Sequence, residues 1–202
     1  MTLVRRLSVE ELRELFDYDP ETGELRWKVI SSPQSRIKAG DVTGSIKVSR
    51  QNAYRITHVG EIGYRTHMIA FALHYGRWPD YYIDHKNGNG LDNRISNLRE
   101  ATKIQNGQNR RKNMGSLTKS KGVHHIKNRN KPLVARIRLN TALIHLGQYE
   151  NEHDAALAYD RAAILAFGQF AHTNFPAHES EHIILPERIL NKIARLKQSS
   201  AR

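Results

Sequence analysis

Three observations predict an α+β fold in two small units. Helical stripes and runs of short, alternating strands occupy separate stretches of the chain. Its 202 residues suffice for two small cores. Residue usage changes near residue 115, where large apolar side chains give way to a basic stretch. No internal repeat or low-complexity tract is present.

The first half justifies its elements in order. Ser8-Val9-Glu10-Glu11 reads as a capping box, with Leu7, Leu12, Leu15 and Phe16 forming a helical stripe behind it. Asp19 to Gly23 is turn chemistry, followed by a strand over Leu25 to Lys28. Residues 31 to 45 are rich in Ser, Gly and Pro and are expected to form a loop. Tyr54 to Val59 and Tyr64 to His67 read as strands around Gly60 to Gly63. Met68 to Tyr75 reads as a helix ended by Gly76, and Tyr81 to His85 as a short strand. The polar loop Lys86 to Asn93 leads to a helix predicted from Ser96 to about Asn109.

Beyond the basic stretch, Gly122 to Lys127, Leu133 to Leu139 and Leu143 to Tyr149 predict three short strands. Glu152 to Phe167 predicts an alanine-rich helix with Asn151 as N-cap and Gly168 as its end. Pro186 to Lys197 is a further helix. The resulting segments are 1–52, an N-terminal helix and strand region; 53–110, a core; 111–120, a basic linker; 121–176, a second domain; and 177–202, a tail.

The formal charge is +12, which implies a polyanionic partner. Its placement is concentrated: Arg99 to Arg138 holds twelve Lys or Arg against one acidic residue, Glu100. Cysteine is absent, which excludes disulfides, thiolate metal sites and Cys nucleophiles. No signal peptide and no segment near the length of a bilayer span is read, so a cytoplasmic protein of a bacterial or phage-infected cell is expected.

Asp84, His85, Asn97 and Asn106 together carry what phosphodiester hydrolysis requires: deprotonation of a water, neutralisation of the phosphate and stabilisation of the leaving oxygen. Neighbours on a strand point to opposite sides, so Asp84 and His85 serve different roles, one toward a metal and one toward water. An imidazole with an unperturbed pKa near 6.5 suits a general base, the role assigned to His85. The Asn97 side-chain carbonyl is placed to accept the imidazole N–H and fix its tautomer; capping the helix is its competing role. Asn106 returns toward the strand as a second metal ligand beside Asp84, with Asn109 as a rival. Oxygen ligands suit one hard divalent cation, Mg²⁺ or Mn²⁺. His67 stands as either a phosphate contact or a structural hydrogen-bonding group, and His58 and His74 as incidental.

The run Asp84-His85 … Asn93-Arg94-Ile95-Ser96-Asn97-Leu98-Arg99 … Asn106 resembles the HNH endonuclease motif, in the variant of phage and intron-encoded homing endonucleases. His67 to Phe71 and Gly76 to Pro79 resemble that subfamily's lead-in, so the resemblance covers about Tyr54 to Gln108. It implies a ββα-metal fold with His85 as base, Asn97 orienting it, and Asp84 plus Asn106 on one divalent ion. Many HNH proteins have His where Asn106 stands, which implies an oxygen-rich site here.

In the second domain Val134, Arg136 and Arg138 alternate with Ala135, Ile137 and Leu139, so one face of the strand is charged and the other apolar. The helix supplies Ala155, Ala156, Ala158, Tyr159, Ala162 and Ala163, small enough to lie close against that apolar face. The free face then carries Arg136, Arg138, His124 and His145, suited to a major groove. Lys121-Gly122-Val123, Ala135 to Arg138, Leu146 to Tyr149, Ala155 to Ala163 and Thr173 to Pro176 resemble the Apetala-type DNA-binding domain of plant ethylene-response factors. By that resemblance Lys121, His124, Arg136, Arg138 and His145 contact DNA. Separately, the concentration of charge in the basic stretch assigns Arg110, Arg111 and Lys112 to phosphates. His145 stands where the plant domains usually have Trp, and His124 where they often have Arg, so a target sequence does not transfer.

The function expected from these readings is metal-dependent cleavage of double-stranded DNA, of homing type, with nicking of one strand as a variant of it, by a monomer. Neither a membrane nor a small-molecule substrate is expected. A DNA-binding regulator without catalysis is the alternative.

Overall fold

The computed structural model describes residues 6–29, 36–49, 52–110, 112, 117–127 and 130–198. The chain divides into two compact units, Met1–Asn106 and Gly107–Arg202.

The first unit begins with helix α1 (Val9–Leu15), and its start is the capping box read from sequence. Ser8 Oγ accepts from Glu11 N, and the Glu11 carboxylate accepts from Ser8 N. Two short strands follow, β1 (Phe16–Tyr18) and β2 (Leu25–Trp27), paired antiparallel. The strand at 16–18 was hidden in the sequence, because Phe16 also continues the helical stripe. A three-stranded antiparallel sheet comes next: β3 (Ser45–Ser49), β4 (Asn52–Val59) and β5 (Ile62–Arg65), in that order. All five residues of β3 are exposed, so the alternation of Ile46 and Val48 with Ser45, Lys47 and Ser49 buries no apolar face.

Helix α2 (Thr66–Tyr75) is the hub of this unit. It places Ile69 and Ala72 against Leu12, Phe16, Leu25 and Trp27. It places Ala70 and Phe71 against Ile83 and Leu98. A buried chain of hydroxyls, Thr43–Thr57–Thr66 at 2.9 Å per step, ties its first turn to β4. His67 therefore lies in the helix and not at the end of a strand.

Strand β6 (Tyr82–His85) pairs antiparallel with β7 (Leu98–Ala101), and a 3₁₀ turn over Ile95–Asn97 precedes β7. Helix α3 (Lys103–Gln108) follows. The helix predicted from Ser96 is thus corrected to a turn, a strand and a shorter helix. Leu98 and Ala101 are both buried, at a spacing that mimics one helical face; pairing with β6 overrides that local pattern. The outcome is a β-loop-β-α segment from Tyr82 to Gln108.

The second unit is an antiparallel sheet ordered β10-β9-β8, from β8 (Val123–His125), β9 (Leu133–Leu139) and β10 (Ala142–Tyr149). Asn140, at φ 55°, makes the two-residue turn between β9 and β10. Helix α4 (Glu152–Phe167), capped by Asn151, lays its alanines on the sheet with Val123, Ala135, Ile137 and Ile144 beneath. Asp160 is 1% exposed and accepts from the backbone N–H of Asn174 and Phe175 and from Asn174 Nδ2. Asn174 in turn bridges both backbone groups of Lys121. Helix α5 (Glu187–Gln198) adds Ile189 and Ile193, with Leu185 before it, to the same core. The tail read as separate from the second domain is part of it.

Candidate functional site

Strand β6 carries the two central residues, and both are buried: Asp84 at 4% and His85 at 5% exposure. Cross-strand register sets Asp84 opposite Arg99 and His85 opposite Leu98. The Asp84 carboxylate accepts from Arg99 Nε at 2.9 Å and from its terminal nitrogen at 2.6 Å. The acidic residue is therefore held by a charge-assisted fork from the next strand.

His85 Nε2 lies 3.1 Å from the side-chain oxygen of Asn93, itself 3% exposed. An amide oxygen only accepts, so Nε2 carries the proton and Nδ1 carries the lone pair. Asn93 is anchored from behind, where Tyr18 donates its hydroxyl to the Asn93 carbonyl at 2.7 Å.

Asn97, assigned from sequence to orient His85, has a different place. Its side-chain oxygen accepts from Asn87 N at 3.0 Å, and its Nδ2 donates to Asn87 Oδ1 and to the Asp92 carbonyl. Asp92 pairs with Arg94 and also accepts from Asn87 Nδ2. Asn97 thus closes the loop that presents Asn93 and acts on His85 through it. Sequence reasoning missed Asn93 because an Asn between an Asp and an Arg in a polar loop has the composition of a turn.

His67, read from sequence as either a phosphate contact or a structural group, is the second neighbour of His85. Its ring meets that of His85 edge-on at 4.9 Å, and Tyr54 lies 5.8 Å and 6.1 Å from the two rings. Burial pushes His67 down to about 3, helped by the charges of His85 and Arg65. Burial also lowers His85 from its ordinary value, against the opposing pull of Asn93 and Asp84. Both imidazoles are neutral at physiological pH, so His85 is in the form that accepts a proton. His67 Nδ1 is buried with no hydrogen-bond partner.

Asn106 lies on α3, half-buried, and borders a cavity with His67 that Asp84 does not line. No hydrogen bond joins Asn106 to Asp84. Among the described residues no three His, Asp or Glu side chains form a metal cage.

In the second unit Arg136 and His145 are cross-strand partners on the sheet face away from α4, with His145 exposed and Arg136 half-buried. Arg136 Nε is buried without a hydrogen-bond partner. Arg138 and His124 are exposed on the same sheet, and Arg138 donates to the Thr141 carbonyl at 3.3 Å. Two lysines differ from expectation. Lys121 donates its ammonium to the Gln108 carbonyl at 2.6 Å and lies over the Tyr159 ring, and burial lowers it to about 8. Lys112 donates to Thr118 Oγ1 and to the Ser120 carbonyl. Both bind the unit's own backbone because long side chains bury their stems and turn the head to the nearest carbonyls. Arg110 is exposed, and Arg111 lies outside the described residues.

No solved structure matches the chain. The segment that brings Asp84 and His85 beside the Asn93–Asn97 loop and α3 has a known counterpart: residues 64–108, under a quarter of the chain, match the family model of the HNH endonuclease.

Proposed function

We propose that this chain is a divalent-metal-dependent endonuclease that cuts phosphodiester bonds in double-stranded DNA and carries its own DNA-binding unit. The observation that carries the reading is the buried Asp84–His85 pair on β6, followed by a closed polar loop, β7 and α3, within residues 64–108. His85 takes a proton from the attacking water at Nδ1, and Asn93 holds the opposite nitrogen as a donor. Asn97 keeps the loop closed, so that Asn93 stays in place.

Asp84 would hold a hard cation through its carboxylate, and Asn106 is the second oxygen donor that the motif spacing assigns. A carboxylate has about four lone-pair positions, so pairing with Arg99 and ligating a cation are compatible. An Mg²⁺ or Mn²⁺ ion would suit such oxygen donors. Bound there, such an ion supplies charge neutralisation at the phosphate and stabilisation of the leaving oxygen. One centre per chain cuts one strand, so a monomer nicks, as a homing-type nuclease of this size would.

Supercoiled plasmid tests the reading directly. Nicked circles are expected with Mg²⁺ or Mn²⁺ and not with EDTA. Binding without nicking in either metal would leave a DNA-binding regulator as the better description.

The sheet of the second unit is assigned to the major groove through Arg136, Arg138, His124 and His145, supported by its face of paired cationic and imidazole side chains and by its likeness to the Apetala-type domain. Arg136→Ala with Arg138→Ala is expected to weaken binding and to reduce the slope of log K against log salt by about one for each lost phosphate contact. An unchanged slope and affinity in a filter-binding titration would remove this face from the interface.

A further inference from the structure

A cavity of about 620 Å³ opens in the first unit. It shares His67 and Asn106 with the candidate centre, and the His67 ring lies 4.9 Å from that of His85. Arg6 and Arg65 also line it, and neither forms an ion pair with a carboxylate among the described residues. Tyr81 and Tyr82 at its edge are 61% and 56% exposed, with ring faces open to a ligand. Trp78 is a fixed wall, stacked on Tyr64 at 5.8 Å and covered by Arg6 at 4.3 Å.

Cations for phosphate and exposed aromatic rings for a base are together the chemistry of one nucleotide. The volume lies within the usual range of about 300–1,000 Å³ for small-ligand sites.

We propose that this cavity receives a single nucleotide of the DNA strand, unstacked from the duplex next to the phosphate that His85 addresses. The proposal rests on the DNA-cleavage reading of the same unit. A strand is favoured over a free nucleotide because two separate guanidinium groups suit phosphates on either side of one base. The base stacks on Tyr82, and Arg65 takes a flanking phosphate.

The test uses the full chain in EDTA, with a short duplex carrying one unpaired nucleotide against the same duplex fully paired. Binding is read by anisotropy of a terminal dye. The unpaired duplex is expected to bind about tenfold more tightly, because the cost of extrusion is already met. Arg65→Ala with Tyr82→Ala, both at exposed positions, is expected to erase that preference with an unchanged circular dichroism spectrum. Equal affinities in the wild type, or a preference that survives in the double variant, overturn the proposal. Free dAMP is the third arm and is expected to displace the unpaired duplex only at millimolar concentration. Displacement at micromolar concentration assigns the cavity to a free mononucleotide and overturns it too. Cleavage does not enter the readout, so a chain that shows the preference yet never nicks DNA overturns only the cleavage reading.

Discussion

Replacing His85 with alanine is expected to lower kcat/KM for DNA nicking by about 10²–10⁴-fold, the usual contribution of a positioned general base. The side chain is buried and packed on His67 and Tyr54, so an intact circular dichroism spectrum must accompany the loss. The wild-type pH profile supplies a second readout. Burial lowers the His85 imidazole from the ordinary 6.5, so the proton-accepting form persists into mild acid. The acid limb of kcat/KM is therefore expected below pH 6.5, rising with pH as the imidazole loses its proton. Equal nicking by wild type and His85→Ala would sink the assignment. A limb that lies above pH 6.5 would mean that another group titrates.

The largest structural effect is expected at Gly122. Its φ is +77°, and a Cβ placed there would lie 1.9 Å from Cδ2 of Tyr159 and 2.4 Å from Cε2. Tyr159 is 4% exposed and belongs to the core under α4, so its ring has no empty space to enter. The strands on one side and Asp160 with Asn174 on the other fix the backbone around it. Gly122→Ala combines overpacking with left-handed strain, and a loss of about 3–5 kcal/mol is expected. For a unit of this size that is a drop in Tm of well over 10 °C, at about 4–8 °C per kcal/mol. A variant melting within a few degrees of wild type would show that the ring yields.

The strands of the second unit were legible because Ala135, Ile137 and Leu139 alternate with charged residues over a full strand, and α4 because its cap, alanine stripe and terminal glycine agree. The segment 98–101 was not, because Leu98 and Ala101 sit at a spacing that serves a helix or a strand, and only the partner strand decides. Residues 45–49 alternate Ile46 and Val48 with polar neighbours, but the run is short, directly follows the Ser/Gly/Pro-rich stretch and buries neither apolar side chain, so only its pairing with β4 makes it a strand. At the site, sequence spacing singled out Asp84, His85 and Asn97, and β6 and the loop bring them into one neighbourhood. It did not distinguish which asparagine meets the imidazole, because Asn93 and Asn97 differ only in how the loop between them folds. Sequence left His67 between a phosphate contact and a structural role, because only α2 shows that it turns toward His85. Lys112 and Lys121 read as phosphate-seeking cations, since a sequence does not show which carbonyls lie within reach of an ammonium.

Helix α5 has a consequence for where the second unit can be cut. Leu185, Ile189 and Ile193 lie at 3–4% exposure in the same core as α4. A fragment ending at Pro176 would keep the three strands and α4 yet leave that apolar flank bare, ready to associate with whatever covers it. The smallest piece of this unit that closes its own core therefore runs through α5, which acts as its lid.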